Sequence, residues 1–260
     1  MEGLAAVRRR SALLFILFPV LSLILLAGCG RGDGPGEDVP AYLVAVIAGD
    51  ICGSGVIYGM DNENLYVLTA SHVLASEEHP HDAGRGSAGE EAGWGKPSLY
   101  GYGFQTEDGV GDPVTVRFCD GWEVICTDIV VSGKADLALI RIPVSGISAK
   151  RQELYRCVIR DKERFDALEA GDGCAAVGIG ADGELIRYDG DILEPWIYME
   201  DYGQYMIWAQ AEIRPGMSGG ALFDDGGYFI GILSGGNGDG ELSAVPLSLI
   251  IQFDMEVNDG

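Results

Sequence analysis

"AEIRPGMSGGALFDD", residues 211–225, sets Ser218 between glycines just ahead of an apolar run. Glycine reaches positive φ and lets a second backbone come close, so Gly216, Gly219 and Gly220 alone describe a turn into a strand. A serine hydroxyl is a poor nucleophile until a base takes its proton. Whether Ser218 does chemistry therefore depends on the rest of the chain supplying a base and a group to orient it.

The chain holds three histidines. His79 and His81 lie in "EEHPHD", within a polar, glycine-rich stretch from Ser76 to Asp112 that reads as a long surface insertion. Histidines beside acids can bind a metal, but without a rigid frame they are usually only solvated, so no metal site is assigned. His72 is placed differently: it ends "LYVLTASH", directly after an apolar strand that can fix its ring. Asp136, in "GKADLALIRI", opens an alternating apolar strand and so lies at the edge of the core. Each alone has a bland reading, a core histidine and a strand-start aspartate. Together they supply what serine chemistry needs, an imidazole to take the proton and a carboxylate to fix its tautomer.

Short apolar runs separated by turn residues fill most of the chain after residue 40 and predict strands at all-β spacing. The first set is "AYLVAVIA", "GSGVIYG", "LYVLTA", "VTVRF", "WEVICTDIVV" and "LALIRI". The second is "CAAVGIG", "MIWAQAEI", "GALFDD", "YFIGILSG" and "SAVPLSLI". Between them "KRQELYRCVIRDKERFDALE" (150–169) is the one expected helix. Two sets of about six strands around a connector suggest two small barrels. A net charge of −23 repels phosphate backbones and argues against nucleic acid as a partner.

Three arginines in "MEGLAAVRRR" precede the apolar "SALLFILFPVLSLILLAGC", which ends at Cys29. This order reads as an export signal over residues 1–28, with an uncleaved membrane anchor as the alternative. Leu26-Ala27-Gly28-Cys29 resembles the bacterial lipoprotein box, which implies lipidation of Cys29 and a membrane partner through that anchor. Residues 29–40, ending in "GRGDGPGEDVP", form a Gly/Pro/acidic tether. Export permits disulfides among Cys52, Cys119, Cys126, Cys157 and Cys174, whose pairing stays open. In "VTVRFCDGWEVIC" a hairpin turning at Asp120-Gly121 faces Cys119 with Trp122 and Cys126 with Thr115, too far apart for a Cys119–Cys126 bridge.

"VLTASHVL", "ADLALIRI" and "RPGMSGGAL" resemble the three signature segments of the chymotrypsin-fold, trypsin-like serine proteases, and within them the bacterial HtrA-type branch. "GSGVIY", "VTVRFCDGWEVICTDIVV", "FIGILSGG" and "LSAVPLSLI" extend the match over residues 41–254. The resemblance implies an all-β fold of two six-stranded antiparallel barrels with the active site between them. The first barrel would occupy about 41–147, the connector 148–169 and the second barrel 170–254, with no PDZ domain. It implies a serine endopeptidase acting on polypeptide substrates without a cofactor, outside the cytoplasmic membrane. His72 would be the base, Asp136 its orienter and Ser218 the nucleophile. The Gly216 and Ser218 N–H groups would form the oxyanion hole, Ser234 would bond Asp136, and Ser234, Gly235 and Gly236 would be the strand along which substrate lies. The alternative on the same fold is a non-catalytic surface binding protein.

Two departures qualify the resemblance. Met217 stands where secreted digestive relatives carry an aspartate that binds a newly cut N-terminus, so the oxyanion turn has to be held in another way. Glu212 lies where trypsin-like specificity needs an acid at the base of the primary pocket. A buried Glu212 would favour Lys or Arg in the substrate, whereas one that points outward or pairs with Arg214 leaves the small-apolar preference of HtrA-type relatives.

Overall fold

The chain before the connector folds as a seven-stranded antiparallel sheet and the chain after it as a closed six-stranded barrel, in a computed structural model that describes residues 39–74 and 113–258. The expected leader, Cys29 and most of the tether (1–38), and the insertion with His79 and His81 (75–112), lie outside the described residues.

In the first sheet β1 (Leu43–Ala48), β2 (Ile51–Met60) and β3 (Asn64–Thr69) make the centre. β4 (Val114–Phe118) and β5 (Glu123–Cys126) extend it on one side, β7 (Ala138–Pro143) and β6 (Ile129–Val131) on the other. The edge strands β5 and β6 are consecutive in the chain, separated only by Thr127 and Asp128. Three Cα steps reach about 11 Å at most, so the sheet must curl until its two edges nearly meet. The first of the two expected barrels is thus a curled half-barrel of seven strands rather than six, its edge strands joined by the Thr127-Asp128 corner without pairing. The interior is mostly β-branched: Val44, Val46, Val56, Val67, Val116 and Ile140 are fully buried, on a pleated surface that suits their stiff χ1. Truncating one of the larger members, as in Leu65→Ala, would cost roughly 2–5 kcal/mol through lost contacts and a cavity.

The hairpin of β4 and β5 forms one residue out of the expected register. Arg117 pairs with Glu123 and Val114 with Cys126, and the turn is closed by the Trp122 carbonyl accepting from Phe118 N–H at 2.8 Å. Three residues, Cys119 to Gly121, make the turn, with Gly121 at φ 78°. Glycine's freedom at that left-handed position selects this loop over a two-residue one. The conclusion that Cys119 and Cys126 do not bridge stands, and all five cysteines among the described residues are free thiols.

The connector is not one helix. It is two short ones, α2 (Ala149–Leu154) and α3 (Lys162–Asp166), after a single helical turn, α1 (Val39–Tyr42), at the start of the described chain. Between α2 and α3 the backbone is extended. There Val158 N–H donates to Ile57 O and Ile159 O accepts from Phe229 N–H. Pairing with both halves of the molecule outweighs helix propensity here. Asp161 then restarts the helix, its carboxylate accepting from Glu163 and Arg164 N–H at 3.0 and 3.1 Å.

The second half closes as a barrel in the order β10 (Gln204–Gln210), β13 (Glu241–Pro246), β12 (Phe229–Gly236), β11 (Ala221–Asp224), β8 (Gly173–Ile179), β9 (Leu185–Met199). Fifteen-residue β9 is absent from the sequence expectations. Its charges, Gly190 and Pro195 hide it, and each has a structural use. β9 pairs with β8 up to Asp191 and with β10 from there on, so it turns the barrel's corner. At Gly190 a side chain would collide with Gln210 O and Ala211 Cβ, which is why the corner carries glycine. After β13 the chain was expected to stay extended through Ile250. Instead Pro246, with φ already suited to a helix start, precedes α4 (Leu247–Asn258), whose Leu247, Ile250 and Phe253 are buried at helical spacing.

Candidate active site

His72 lies in a 3₁₀ turn, Ser71–Leu74, at the end of β3, and Asp136 in the loop between β6 and β7. β3 and β7 are paired with Thr69 opposite Ala138, so the two residues that follow β3 and precede β7 leave the sheet at the same place. Asp136 is 1% exposed, an expensive place for a carboxylate unless its oxygens are satisfied. They are. Oδ1 accepts from the Ser71 hydroxyl at 2.8 Å and from His72 N–H at 3.0 Å. Oδ2 accepts from His72 Nδ1 at 2.8 Å and from the Ser234 hydroxyl. Four donors fill the four acceptor positions of one carboxylate.

Ser234 reaches Asp136 because β12 bulges there. Leu233 pairs with Ala244 but Gly235 with Ser243, leaving Ser234 the extra residue, and Leu233 and Ser234 are both buried where regular alternation would expose one. Behind it the network continues into the barrel. Tyr202 is buried, and its hydroxyl accepts from Ser243 at 2.6 Å.

Burial opposes the charge on Asp136, yet its bonds to His72, the His72 charge and the Ser234 and Ser71 bonds hold it well below the usual carboxylate range. Burial likewise opposes protonation of His72, but the bond to Asp136 and its negative charge outweigh that and raise His72 above 6.5. With Asp136 ionised, Nδ1–H donates to it and the lone pair of neutral imidazole sits on Nε2. The ring is 31% exposed, so that edge is open to a reactant.

Ser218 stands in the loop between β10 and β11, and its hydroxyl donates to Ser234 O at 3.4 Å. The residues before it form a tight turn: Met217 N–H donates to Arg214 O at 3.0 Å and Gly216 has φ 96°. A side chain at Gly216 would also meet the Gly180–Ala181 backbone. Pro215 O accepts from Ala181 N–H at 3.1 Å and Met217 O from Gly220 N–H at 2.9 Å. In a trans peptide C=O and N–H point opposite ways, so Gly216 N–H and Ser218 N–H face away from those partners. Neither has an acceptor among the described residues. Met217, where an aspartate would be charged, is fully buried. Its sulfur accepts from Arg214 N–H at 3.3 Å, and its Cα and Cβ lie where a Cβ on Gly178 would collide.

The structure thus brings His72, Asp136, Ser218, Gly216 and Ser234 into one bonded cluster. Gly235 and Gly236 pair with β13 on one side only. Glu212 does not join them. It is 55% exposed and faces Arg214 at 3.6 Å, so it is not the buried carboxylate that basic specificity needs. Ile213 turns inward instead, with Cγ2 where a side chain on Gly236 would be.

Sequence reasoning missed Ser71 and Ser54. Ser71 is the residue before His72. Ser54, in β2, is fully buried, and its N–H donates to Ser218 O at 2.7 Å. A small polar residue between two glycines in an apolar strand was the available signal.

Comparison with known proteins agrees with this fold. The family description "Trypsin-like peptidase domain" matches residues 53–232. The chain belongs to the trypsin-like peptidase family. No curated protein matches the sequence. Among solved structures, this trypsin-like peptidase is similar in fold to the HtrA-type protease AlgW with tripeptide (24% identity, TM-score 0.58, 83% of this chain and 60% of that one). It is also similar to Rv3671c from M. tuberculosis H37Rv in its inactive form (15% identity, TM-score 0.56, 83% and 88%). A third likeness is to the serine endoprotease from Yersinia pestis (19% identity, TM-score 0.57, 83% and 62%). The chain spans about 60% of the length of the AlgW protein.

Proposed function

We propose that this trypsin-like peptidase is a serine endopeptidase. Ser218 Oγ attacks the scissile carbonyl carbon while His72 Nε2 takes its proton, and the carbonyl oxygen becomes an oxyanion accepting from Gly216 and Ser218 N–H. The C–N bond then breaks, His72 hands the proton to the leaving amine, and an acyl-enzyme remains on Ser218. Water, deprotonated by His72, releases the second product. Asp136 keeps the imidazole in the useful tautomer and stabilises its charged form.

The observation that carries this reading is the 2.8 Å bond between His72 Nδ1 and a buried, fully satisfied Asp136, with Ser218 tied to the same cluster through Ser234. The long bond from Ser218 Oγ to Ser234 O is weak, so turning the hydroxyl toward His72 costs little. A peptide would lie along the open side of Ser234–Gly236 as an added strand. Ile213 against Gly236 and an outward Glu212 favour small apolar side chains over Lys or Arg in the primary pocket.

The test is labelling with a fluorophosphonate and cleavage of an unfolded protein. The wild type should label and cleave, and Ser218→Ala should do neither, with a loss of about 10⁴-fold or more. A wild type that neither labels nor cleaves would turn the reading to a non-catalytic binding protein on the same fold. From the leader sequence we further propose export and a lipid anchor on Cys29. Incorporation of a palmitate analogue into wild type but not Cys29→Ser checks it, and an unlabelled wild type supports an uncleaved membrane segment instead.

A further inference from the structure

The left-handed turn at Gly216 is not fixed by the glycine's own backbone preference. Glycine adopts positive and negative φ almost equally, so 96° is a choice imposed from outside the residue. Several bonds bear on the turn. Pro215 O accepts from Ala181 N–H, Met217 N–H donates to Arg214 O, and Gly216 O accepts from the Ser54 hydroxyl at 2.7 Å. The first two come from the barrel itself. Among the described residues the side chain that reaches the turn from the other sheet is Ser54.

Ser54 is built for that place. It is fully buried in β2, and its Oγ accepts from Ile179 N–H at 2.7 Å while donating to Gly216 O. Its carbonyl accepts from Thr69 Oγ1 at 2.7 Å and its N–H donates to Ser218 O at 2.7 Å. A longer approach to Ile179 O, at 3.3 Å, competes for the same single hydroxyl proton and loses on distance. Each polar atom of Ser54 is therefore committed, and its hydroxyl is aimed at the carbonyl of Gly216 itself, across the Cα from the Gly216 N–H.

We propose that Ser54 is the positioning residue of the oxyanion turn, its hydroxyl pinning Gly216 O so that Gly216 N–H stays free for the developing oxyanion. The proposal rests on the peptidase reading for its chemistry but not for its geometry. Ser54 touches no substrate and acts through the turn. Without the hydroxyl, Gly216 O and Ile179 N–H both lose their part-buried partner, a cost that rotating the turn's peptides toward water relieves. Because residue 216 is glycine, that rotation meets no steric barrier of its own.

The experiment compares wild type and Ser54→Ala by three measurements. Steady-state kinetics on a peptide substrate should show kcat lowered about 10- to 100-fold, approaching the roughly 10²- to 10³-fold loss of a whole oxyanion donor, with KM within about 2-fold. Inhibition by a peptidyl trifluoromethyl ketone, which forms an oxyanion, should weaken in step with kcat, while binding of the matching unreactive peptide amide should not. The Gly216 amide resonance in a ¹⁵N–¹H NMR spectrum should broaden or split in Ser54→Ala as the turn samples a second state. An unchanged kcat, or equal weakening of ketone and amide, overturns the proposal. So does a single unshifted Gly216 resonance. If wild type is not labelled by the fluorophosphonate, the peptidase reading fails, while the Gly216 resonance still decides what Ser54 does to the turn. Should Ser54→Ala not fold, Ser54→Gly, which also removes the donor, carries the same three measurements with the same expected losses, and an unchanged kcat in it overturns the proposal.

Discussion

The Ser71 hydroxyl donates to Asp136 Oδ1 at 2.8 Å, on the carboxylate oxygen opposite the one that holds the His72 ring. Its partner is buried, so the bond's loss is not made good by water. Ser71→Ala should lower stability by about 1–2 kcal/mol, since one lone pair of a buried carboxylate is left unfilled. Because Oδ2 keeps its own two donors, the imidazole stays oriented and kcat should fall less than about 10-fold. Chemical denaturation and steady-state kinetics on the same samples check both halves. A loss of activity as large as that of Asp136→Asn would show that Oδ1 matters to the chemistry directly.

The His72–Asp136 pair sets the acid limb of the pH profile. A base works only when neutral, and Asp136 raises the His72 pKa above 6.5. The kcat/KM of the free enzyme should therefore climb with pH through a midpoint above 6.5. In Asp136→Asn the two raising influences go and burial remains, so the midpoint should move below 6.5 while the plateau drops by about 10⁴-fold. A wild-type midpoint at or below 6.5 would contradict the direction.

On the proposed peptidase reading, Ile213 packed against Gly236 would limit the depth of the primary pocket. Ile213→Ala removes the atoms next to Gly236 and should shift preference toward larger apolar side chains. A gain of about 10-fold or more in relative kcat/KM corresponds to one or two buried methylenes. Glu212→Gln should leave selectivity between Lys and Ala nearly unchanged, because the carboxylate is exposed beside Arg214. A positional peptide library on the three proteins decides it, and a fall in Lys or Arg cleavage by Glu212→Gln would restore the acidic-pocket idea.

Met217 bears on activation. Its buried thioether makes no ion pair, and the turn it belongs to is already held by Arg214, Ala181 and Ser54. A form beginning at Gly30 with a blocked N-terminus should cleave unfolded protein without prior trimming of residues 30–48. Inactivity relieved only by such trimming would show that a free N-terminus is needed.

The strands around the site were legible because each carries a local signal. "LYVLTASH" ends an apolar run at His72, "GKADLALIRI" begins one at Asp136, and "RPGMSGG" has glycines at two of the positions that take positive φ, Gly216 and Gly219. β9 was not legible because its faces are half-buried and its corner uses Gly190 and its bulge Pro195, residues that normally mark a break. The connector misled in the other direction. Its charged composition suits a helix, but bonds from Val158 to β2 and from Phe229 to Ile159 keep its middle extended.

By itself the sequence determined most of the strands other than β9, the identity and order of His72, Asp136 and Ser218, and the glycines of the turn, all properties of short segments whose periodicity or backbone freedom is local. Only the tertiary structure decided the curling of the first sheet at Thr127-Asp128, the Ser71 hydroxyl among the donors on Asp136, the outward Glu212 with Ile213 against Gly236, and the reach of Ser54 across to Gly216. Each of these depends on which distant residues share a buried space, and whether a polar atom there finds a partner is settled by packing that no single stretch of chain encodes.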